Sequence, residues 1–104
     1  MSVISVYAVF AGADEAERIG RMVVEERLSA CVNIVGSIRS IYRWNGNIES
    51  ANEVAAIFKT TEAQADALIS RIAGLHSYEV PCVVTWPIEN ILGPYADWVE
   101  DSTG

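Results

Sequence analysis

The side chains best suited to chemistry in this 104-residue chain lie in one short segment, residues 76–81, with the sequence HSYEVP. His76, Tyr78 and Glu79 place an imidazole, a phenol and a carboxylate at a turn between a predicted helix and a predicted strand, where irregular backbone often positions functional groups. In a structural interpretation, His76 instead caps the C-terminal end of the helix and Tyr78 packs against the protein. Composition alone favours that structural interpretation.

Metal binding and nucleophilic catalysis have few candidate residues. His76 is the only histidine, so one chain cannot form a two-histidine metal site. Cys31 with His76 would be a nucleophile and base, but Cys31 begins a predicted strand in an apolar context, with no positive neighbour to activate its thiol. A buried thiol is favoured instead, and Cys82 is similar. The GxGxxG, phosphate-loop, HExxH, CxxC and EF-hand motifs do not occur, and we expect no enzymatic activity.

The composition is acidic and apolar. The chain has seven Lys and Arg residues and 14 Asp and Glu residues, which gives a formal net charge of −7. This charge argues against a basic surface that binds nucleic acid. Hydrophobic residues make up 51% of the chain, which predicts a folded core, but no apolar run approaches the ~20 residues of a membrane span. Two cysteines are too few for a disulfide framework. A secretory signal needs a basic residue near its start, and no basic residue precedes Arg18. We therefore expect a cytoplasmic protein.

The elements that position these groups begin with a strand and a helix. Residues 2–10 are rich in Val, Ile and aromatic residues and predict a buried strand, which Gly12 ends. Asp14 is expected to cap the helix that follows, with Glu17 three residues on as its capping-box partner.

A long β-hairpin follows. Residues 31–44 are β-branched and extended, Asn45-Gly46 predicts a tight turn because both residues tolerate positive φ, and residues 48–60 form the return strand. With a strict two-residue turn, Ile34 and Ile38 lie opposite Ile57 and Glu53. With one extra loop residue, they lie instead near Phe58, Ala56 and Val54. The sequence leaves both registers open.

The second half of the chain predicts a helix, a strand and a last helix. Thr61 and Gln64 form a capping box, and the apolar stripe of the helix that it opens comprises Ala65, Leu68, Ile69, Ile72 and Leu75. Residues 82–86 predict a short strand, and Gly93-Pro94 opens a short helix. The expected buried face of this helix comprises Tyr95, Trp98 and Val99.

The predicted order, β-α-β-β-α-β with a terminal helix, is typical of an α+β, ferredoxin-like sandwich over a single domain of residues 1–104. Its sheet is antiparallel, and two helices cover one face. The other face then needs a partner, and the Trp, Tyr and Ile residues of the long hairpin make a second copy of the chain the natural one. We therefore expect self-association.

Two charges, Glu53 and Lys59, interrupt the mostly apolar return strand. They are typical of sheet-edge charges that discourage aggregation. In the alternative interpretation, both charges face a polar cleft between subunits.

Several segments, in order along the chain, resemble one known family. They are Ala30-Cys31-Val32-Asn33-Ile34, Tyr42-x-Trp44-x-Gly46-x-Ile48, Glu53, Lys59-Thr60, His76-x-Tyr78-Glu79-Val80-Pro81 and Tyr95-x-x-Trp98. They are similar to the divalent-cation tolerance family, CutA, over nearly the whole chain. The resemblance implies a ferredoxin-like subunit in a tight homotrimer whose long hairpins interlock, as in the PII signal proteins. It also implies a cytoplasmic, non-catalytic protein linked to tolerance of copper and other divalent cations.

The resemblance further implies where a site would lie. Its inter-subunit cleft would be lined by Asn33, Tyr42, Trp44, Glu53, Lys59, His76, Tyr78 and Glu79. Copper ligands in the family are a cysteine at the end of the first strand and two adjacent histidines. Here Phe10 stands at the cysteine position and Leu75-His76 at the histidine pair, so His76 is the one metal ligand retained, for copper or another divalent cation.

The alternative function is a sensor similar to the PII proteins. Its trimer clefts would bind a small metabolite or anion, with positive charge supplied by Lys59, Arg39 and Arg43.

Overall fold

Residues 2–104 are described by the computed structural model, as four strands and three helices. In chain order these elements are β1 (Val3–Phe10), α1 (Ala13–Glu25), β2 (Cys31–Trp44), β3 (Asn47–Thr61), α2 (Glu62–Leu75), β4 (Val83–Pro87) and α3 (Gly93–Asp101). The strands form one antiparallel sheet in the order β2-β3-β1-β4. This arrangement confirms the predicted βαββαβ sandwich with its C-terminal helix. Within residues 2–104, no helix is long and apolar enough to cross a membrane.

The main core lies between the sheet and the two long helices. Phe10 of β1 and Phe58 of β3 are fully buried there, with their ring centroids 6.3 Å apart. Ile19 of α1 and Leu68 and Ile72 of α2 close the core from the other side. Alternate strand residues and helical spacing therefore bury apolar side chains on one face of the sheet, as the sequence predicts. We call the face that carries Phe10 and Phe58 the helix face, and the opposite one the open face.

Neither long helix begins with the predicted capping box. α1 begins at Ala13, Asp14 lies in its first turn instead of capping it, and Glu17 accepts a bond from the Arg21 side chain (3.2 Å). Thr61 does precede α2, but its hydroxyl makes no capping hydrogen bond. Because Thr61 is also the last residue of β3, its side chain follows the alternation of the strand, and its Oγ1 atom is buried with no partner among residues 2–104.

The hairpin combines both of the registers that the sequence leaves open. Next to the turn, the strands pair as a strict two-residue turn requires, so Ile38 faces Glu53. A β-bulge at Val35 then shifts the ladder by one residue, and Ile34 faces Ala56.

The outer half of the hairpin projects beyond the rest of the sheet. β1 pairs with β3 only as far as Phe10 opposite Val54, so within residues 2–104 the segments 39–44 and 47–52 pair only with each other. The molecule is elongated accordingly, measuring 45 Å by 26 Å by 22 Å. An isolated two-stranded hairpin is marginally stable in water, so this half lacks the support that the body of the sheet has.

The terminal helix α3 covers one end of the open face. Val99 is fully buried there beside Val3 and Ala30, and Tyr95 is partly buried. Trp98, however, is 46% exposed, so its predicted burial is wrong within one chain. A nine-residue helix on a sheet buries only a narrow stripe, and Trp98 lies outside that stripe.

Gly20 marks the closest approach of α1 to β2. A Cβ atom added at Gly20 would lie 2.8 Å from Cγ1 of Val32, so Gly20→Ala should lower the free energy of unfolding, although alanine is favoured over glycine in helices by about 1 kcal/mol. Gly74→Ala in α2 is the matched control, because no atom lies within 4 Å of its added Cβ, and it should stabilise by about 0.5 kcal/mol. Urea denaturation measures both differences; equal stabilisation would contradict a tight contact at Val32.

Candidate functional site

A groove of about 610 Å³ lies on the open face, between the hairpin and residues 76–82. Residues 76–82 follow α2 and run beside the end of β1, where the Val9 amide donates to the carbonyl of Cys82 (3.2 Å). We call this space the hairpin groove. Its lining residues are Tyr7, Val9, Ile38, Ser40, Tyr42, Arg43, Trp44, Glu53, Tyr78, Glu79, Val80 and Cys82.

A buried carboxylate lies in the wall of the hairpin groove. Glu53 of β3 is only 8% exposed, and the Tyr78 hydroxyl donates a hydrogen bond to its Oε2 atom at 2.7 Å. Burial, followed by this bond and the charge of Glu53, raises the pKa of Tyr78 to about 12. Burial and the charge of Glu53 also raise the pKa of the Cys82 thiol. The groove is therefore a site where negative charge is already concentrated.

A second carboxylate fixes the start of residues 76–82. Glu15 of α1 accepts hydrogen bonds from the backbone amides of Ala11 (3.1 Å) and Ser77 (2.8 Å). Burial alone would raise the pKa of Glu15, but the bonds from Ser77 and Ala11 and the nearby His76 lower it overall. Glu15 thus ties the turn after β1 to the turn after α2.

Both ring nitrogens of His76 are in hydrogen bonds. The Tyr78 amide can only donate, so Nδ1 of His76 accepts from it (3.0 Å), and Nε2 then carries the hydrogen that is donated to the Val9 carbonyl (2.8 Å). The ring also stacks on Phe10, with the centroids 5.1 Å apart. His76 therefore joins the end of β1 to residues 76–82 through both of its ring nitrogens.

The structure brings together most of the predicted site residues. Five of them line the hairpin groove, and they are Tyr42, Trp44, Glu53, Tyr78 and Glu79. Asn33 and Lys59 do not line it within one chain, because they lie on the sheet opposite Ile57 and Cys31. The three positive residues of the anion hypothesis are also apart: Arg43 lines the groove, whereas Arg39 donates to the side chains of Asn52 and Ser50.

Cys31 and His76 do not form a pair within one chain. The Cys31 Sγ atom lies 3.6 Å from the hydroxyl of Tyr95 in α3, whereas His76 lies beside Val9 at the other end of β1. Burial and the contact with Cys31 raise the pKa of Tyr95 to about 12. The sulfur is therefore held in a structural contact, away from the only imidazole.

The sequence-based predictions of the site include neither Tyr7 nor Glu15. Tyr7 lines the groove and stacks on Trp86, with the centroids 4.7 Å apart, and its place on the open face follows from the alternation of β1. No local pattern in the sequence indicates the role of Glu15, because its hydrogen bond to Ser77 joins residues that are 62 positions apart.

Comparison with known proteins places the chain in a family. The family model for the CutA1 divalent ion tolerance protein matches residues 4–102. The divalent-cation tolerance protein CutA of Thermotoga maritima is 43% identical over 99 residues, which cover 95% of this chain and 97% of that protein. The chain belongs to the CutA family.

Solved CutA structures have the same fold as this chain. The crystal structure of CutA1 from Oryza sativa superposes with a TM-score of 0.96 at 35% identity, covering 100% of this chain and 95% of that one. The structure of CutA from Xylella fastidiosa also gives 0.96, at 31% identity, with 100% of both chains covered.

The side chains of this CutA chain do not fit a copper site within one chain. Phe10 is fully buried and Leu75 is apolar, so neither offers a donor atom. His76 already uses both nitrogens. Within residues 2–104, no group of three or more His, Cys, Asp or Glu side chains is arranged to hold a metal ion.

Tyr78→Phe in this CutA chain should lower the free energy of unfolding by roughly 1 kcal/mol at pH 7, because the buried Glu53 carboxylate loses its hydrogen-bond donor. The folded-state pKa of Tyr78 is raised from 10.0 to about 12. The stabilisation from Tyr78 is therefore fully present below pH 10 and is lost as the pH rises through about 12.

Urea denaturation across this pH range tests the effect. The free energy of unfolding of the wild type should fall more steeply above pH 10 than that of Tyr78→Phe. Tyr42→Phe is the control, since the Tyr42 hydroxyl makes no hydrogen bond within the part of the chain that the structure describes. Parallel pH profiles for Tyr78→Phe and the wild type would contradict the proposed bond.

Proposed function

We propose that this chain is a non-catalytic, homotrimeric protein that acts in divalent-cation tolerance. The observation that carries the proposal is its 43% identity to a divalent-cation tolerance protein over almost the full length of both chains. The separation of Cys31 from His76 removes the one nucleophile and base that the sequence offers, which supports a role without catalysis.

Tolerance can be tested by growth. Expression of the chain in a bacterium that lacks its own CutA gene should restore growth in excess Cu²⁺ or Zn²⁺, with empty vector as the control. Unchanged sensitivity to every divalent cation, despite normal accumulation of the protein, would contradict the tolerance role.

The homotrimer is supported by the uncovered apolar surface of the hairpin. Ile41 is 73% exposed and Ile48 is 64% exposed, and Tyr42 and Trp44 are half exposed on the other side of the same ribbon. Such a patch marks a contact surface, and a projecting two-stranded ribbon gains stability when other chains cover it. Identical chains that pack on the hairpin would bury its apolar surface and also stabilise the projecting ribbon.

Light scattering at micromolar concentration should therefore give three times the 11.3 kDa mass of one chain. Ile41→Asp should lower that mass, because it places a charge in the apolar hairpin surface without disturbing the core. Ala67→Asp on the exposed side of α2 is the matched control and should leave the mass unchanged. A wild type with the mass of one chain would refute the homotrimer.

Copper is the cation that the family resemblance suggests, and His76 is the one imidazole available to it. Copper could bind His76 only after a ring nitrogen gives up its present hydrogen bond. We therefore propose that tolerance does not rest on a tight copper site within one chain. Donors from a neighbouring subunit, or Glu79, would have to complete any such site.

Calorimetric titration with Cu²⁺ tests this point. The wild type should bind Cu²⁺ more weakly than micromolar, and His76→Ala should give the same heats, because the ring nitrogens are already occupied. Thermal melting of His76→Ala checks that it remains folded. Tight binding that His76→Ala abolishes would show that His76 exchanges its hydrogen bonds for the metal.

The compartment that we propose is the cytoplasm. Cys31 and Cys82 are both free thiols, which a reducing compartment maintains.

A sensor of small molecules is the second candidate function, and the volume of the hairpin groove favours it. The anion version has less support, because Lys59 and Arg39 lie outside the groove while Glu53 lies in its wall.

A further inference from the structure

We propose that Glu53 of one chain forms an ion pair with Lys59 of a neighbouring copy, so that the carboxylate in the wall of the hairpin groove receives its positive partner from a second chain. The ion pair rests on the homotrimer proposed above, and it names one contact between the chains of that assembly.

Glu53 lacks a positive partner within its own chain. A buried carboxylate is stable when it is paired with positive charge or well supplied with donors. Glu53 is 8% exposed, and within residues 2–104 its hydrogen bonding consists of one neutral donor, the Tyr78 hydroxyl on Oε2. Its Oε1 atom still reaches solvent, because Oγ1 of Thr61 is the one fully buried side-chain oxygen or nitrogen without a partner among these residues. Oε1 is therefore open to a donor from another chain.

Lys59 has the opposite deficiency on the same face of the sheet. It pairs with Ser5 of β1 and with Cys31 of β2, and it follows Phe58 of the helix face, so the alternation of β3 places its side chain on the open face. The residue is half-buried, yet its ammonium makes no hydrogen bond or ion pair within residues 2–104. An ammonium that is partly withdrawn from water needs an acceptor.

The two charges cannot pair with each other within one chain. Glu53 and Lys59 are six residues apart on β3, and an even separation keeps both side chains on the open face. At about 3.3 Å per residue, their backbones are roughly 20 Å apart. Extended Glu and Lys side chains do not span that distance. The opposite charge that each of them needs comes from another chain.

The other basic side chains are poorer partners for Glu53. Four of them already donate to acceptors within residues 2–104, and they are Arg21, Arg27, Arg39 and Arg71. Arg18 is exposed on α1, which covers the helix face. Arg43 reaches the lining of the hairpin groove, but the alternation of β2 puts it on the side of the ribbon opposite to Glu53. Lys59 is the basic residue that shares the open face with Glu53.

A closed ring of identical chains satisfies both charges at once. In such a ring each chain contacts its two neighbours with two different surfaces. One end of β3 then offers Glu53 to one neighbour, and the other end offers Lys59 to the next. The open face between them is apolar, with Ile57 half-buried and with Val84 and Trp86 exposed on β4. An apolar surface between two opposite charges is complementary to a copy of itself.

Charge reversal tests the ion pair. Lys59→Glu places two carboxylates against each other at every contact between chains, so the protein concentration at which half of the trimer dissociates should rise at least tenfold, measured by sedimentation. Adding Glu53→Gln removes this repulsion while its amide oxygen still accepts from Tyr78, and it should recover most of the loss. Arg18→Glu is the matched control, because it changes the net charge equally on the exposed side of α1 and should dissociate as the wild type does.

A mixing experiment shows that the partners belong to different chains. Glu53→Lys carries lysine at both positions, and Lys59→Glu carries glutamate at both. Each variant alone should dissociate more readily than the wild type. An equal mixture should recover the trimer mass at concentrations where neither variant is trimeric, because most contacts in a mixed trimer then join opposite charges.

Several results would overturn the ion pair. If Lys59→Glu dissociates as the wild type does, Lys59 has no acidic neighbour. If Glu53→Gln does not recover the trimer of Lys59→Glu, Lys59 belongs to another carboxylate. If a charge reversal does not fold, neutral variants decide the outcome: the double variant Glu53→Gln/Lys59→Gln should dissociate no more readily than the weaker single variant, whereas effects that multiply would show that the two residues do not touch.

The outcome is separable from the proposed function. A wild type with the mass of one chain would refute the homotrimer and the ion pair together. A trimeric wild type that tolerates Lys59→Glu would refute the ion pair alone. Growth in excess Cu²⁺ or Zn²⁺ tests the tolerance role independently of both.

Discussion

A sheet has two faces, and in this chain the two long helices bury only one of them. Apolar side chains on the other face must be covered in some other way. α3 covers one end of that face, around Val3 and Val99, and residues 76–82 lie along the other end. The hairpin groove is the space that remains between residues 76–82 and the projecting hairpin. The assembly that we propose would cover part of this surface.

Residues 76–82 are held in place by carboxylate and imidazole groups, which are the side chains that often act in catalysis or metal binding. Glu15 accepts from the backbone of Ser77, Glu53 accepts from the hydroxyl of Tyr78, and His76 bridges the Val9 carbonyl and the Tyr78 amide. The imidazole thereby loses the free nitrogen that a metal would need. Glu53 keeps unused acceptor capacity, and for that reason the chemistry of the groove centres on a carboxylate in β3 and not on the histidine.

Local patterns in the sequence predicted the elements and their order, because the alternation in β1, the Asn45-Gly46 turn and the stripe of α2 each depend on residues close together in the chain. They also predicted five of the groove residues through the family resemblance. Local patterns could not predict contacts between distant segments, such as the hydrogen bond between Glu15 and Ser77. The predicted capping box of α2 was wrong for a related reason. Thr61 belongs to β3 as well as preceding α2, and its side-chain direction follows the alternation of the strand.

The bulge at Val35 lets β2 meet two separate requirements. Side chains alternate along a strand, so one unpaired residue exchanges the faces of the residues on its two sides. On the turn side, Ile38 pairs with Glu53, on the open face. On the other side, Val32 lies on the helix face against α1, whereas an unbroken ladder from the same turn would place Val32 opposite Lys59, on the open face. The bulge therefore absorbs one residue of β2 while the turn and the contact with α1 both stay in place, so the strand can change its length by one residue at this exposed position.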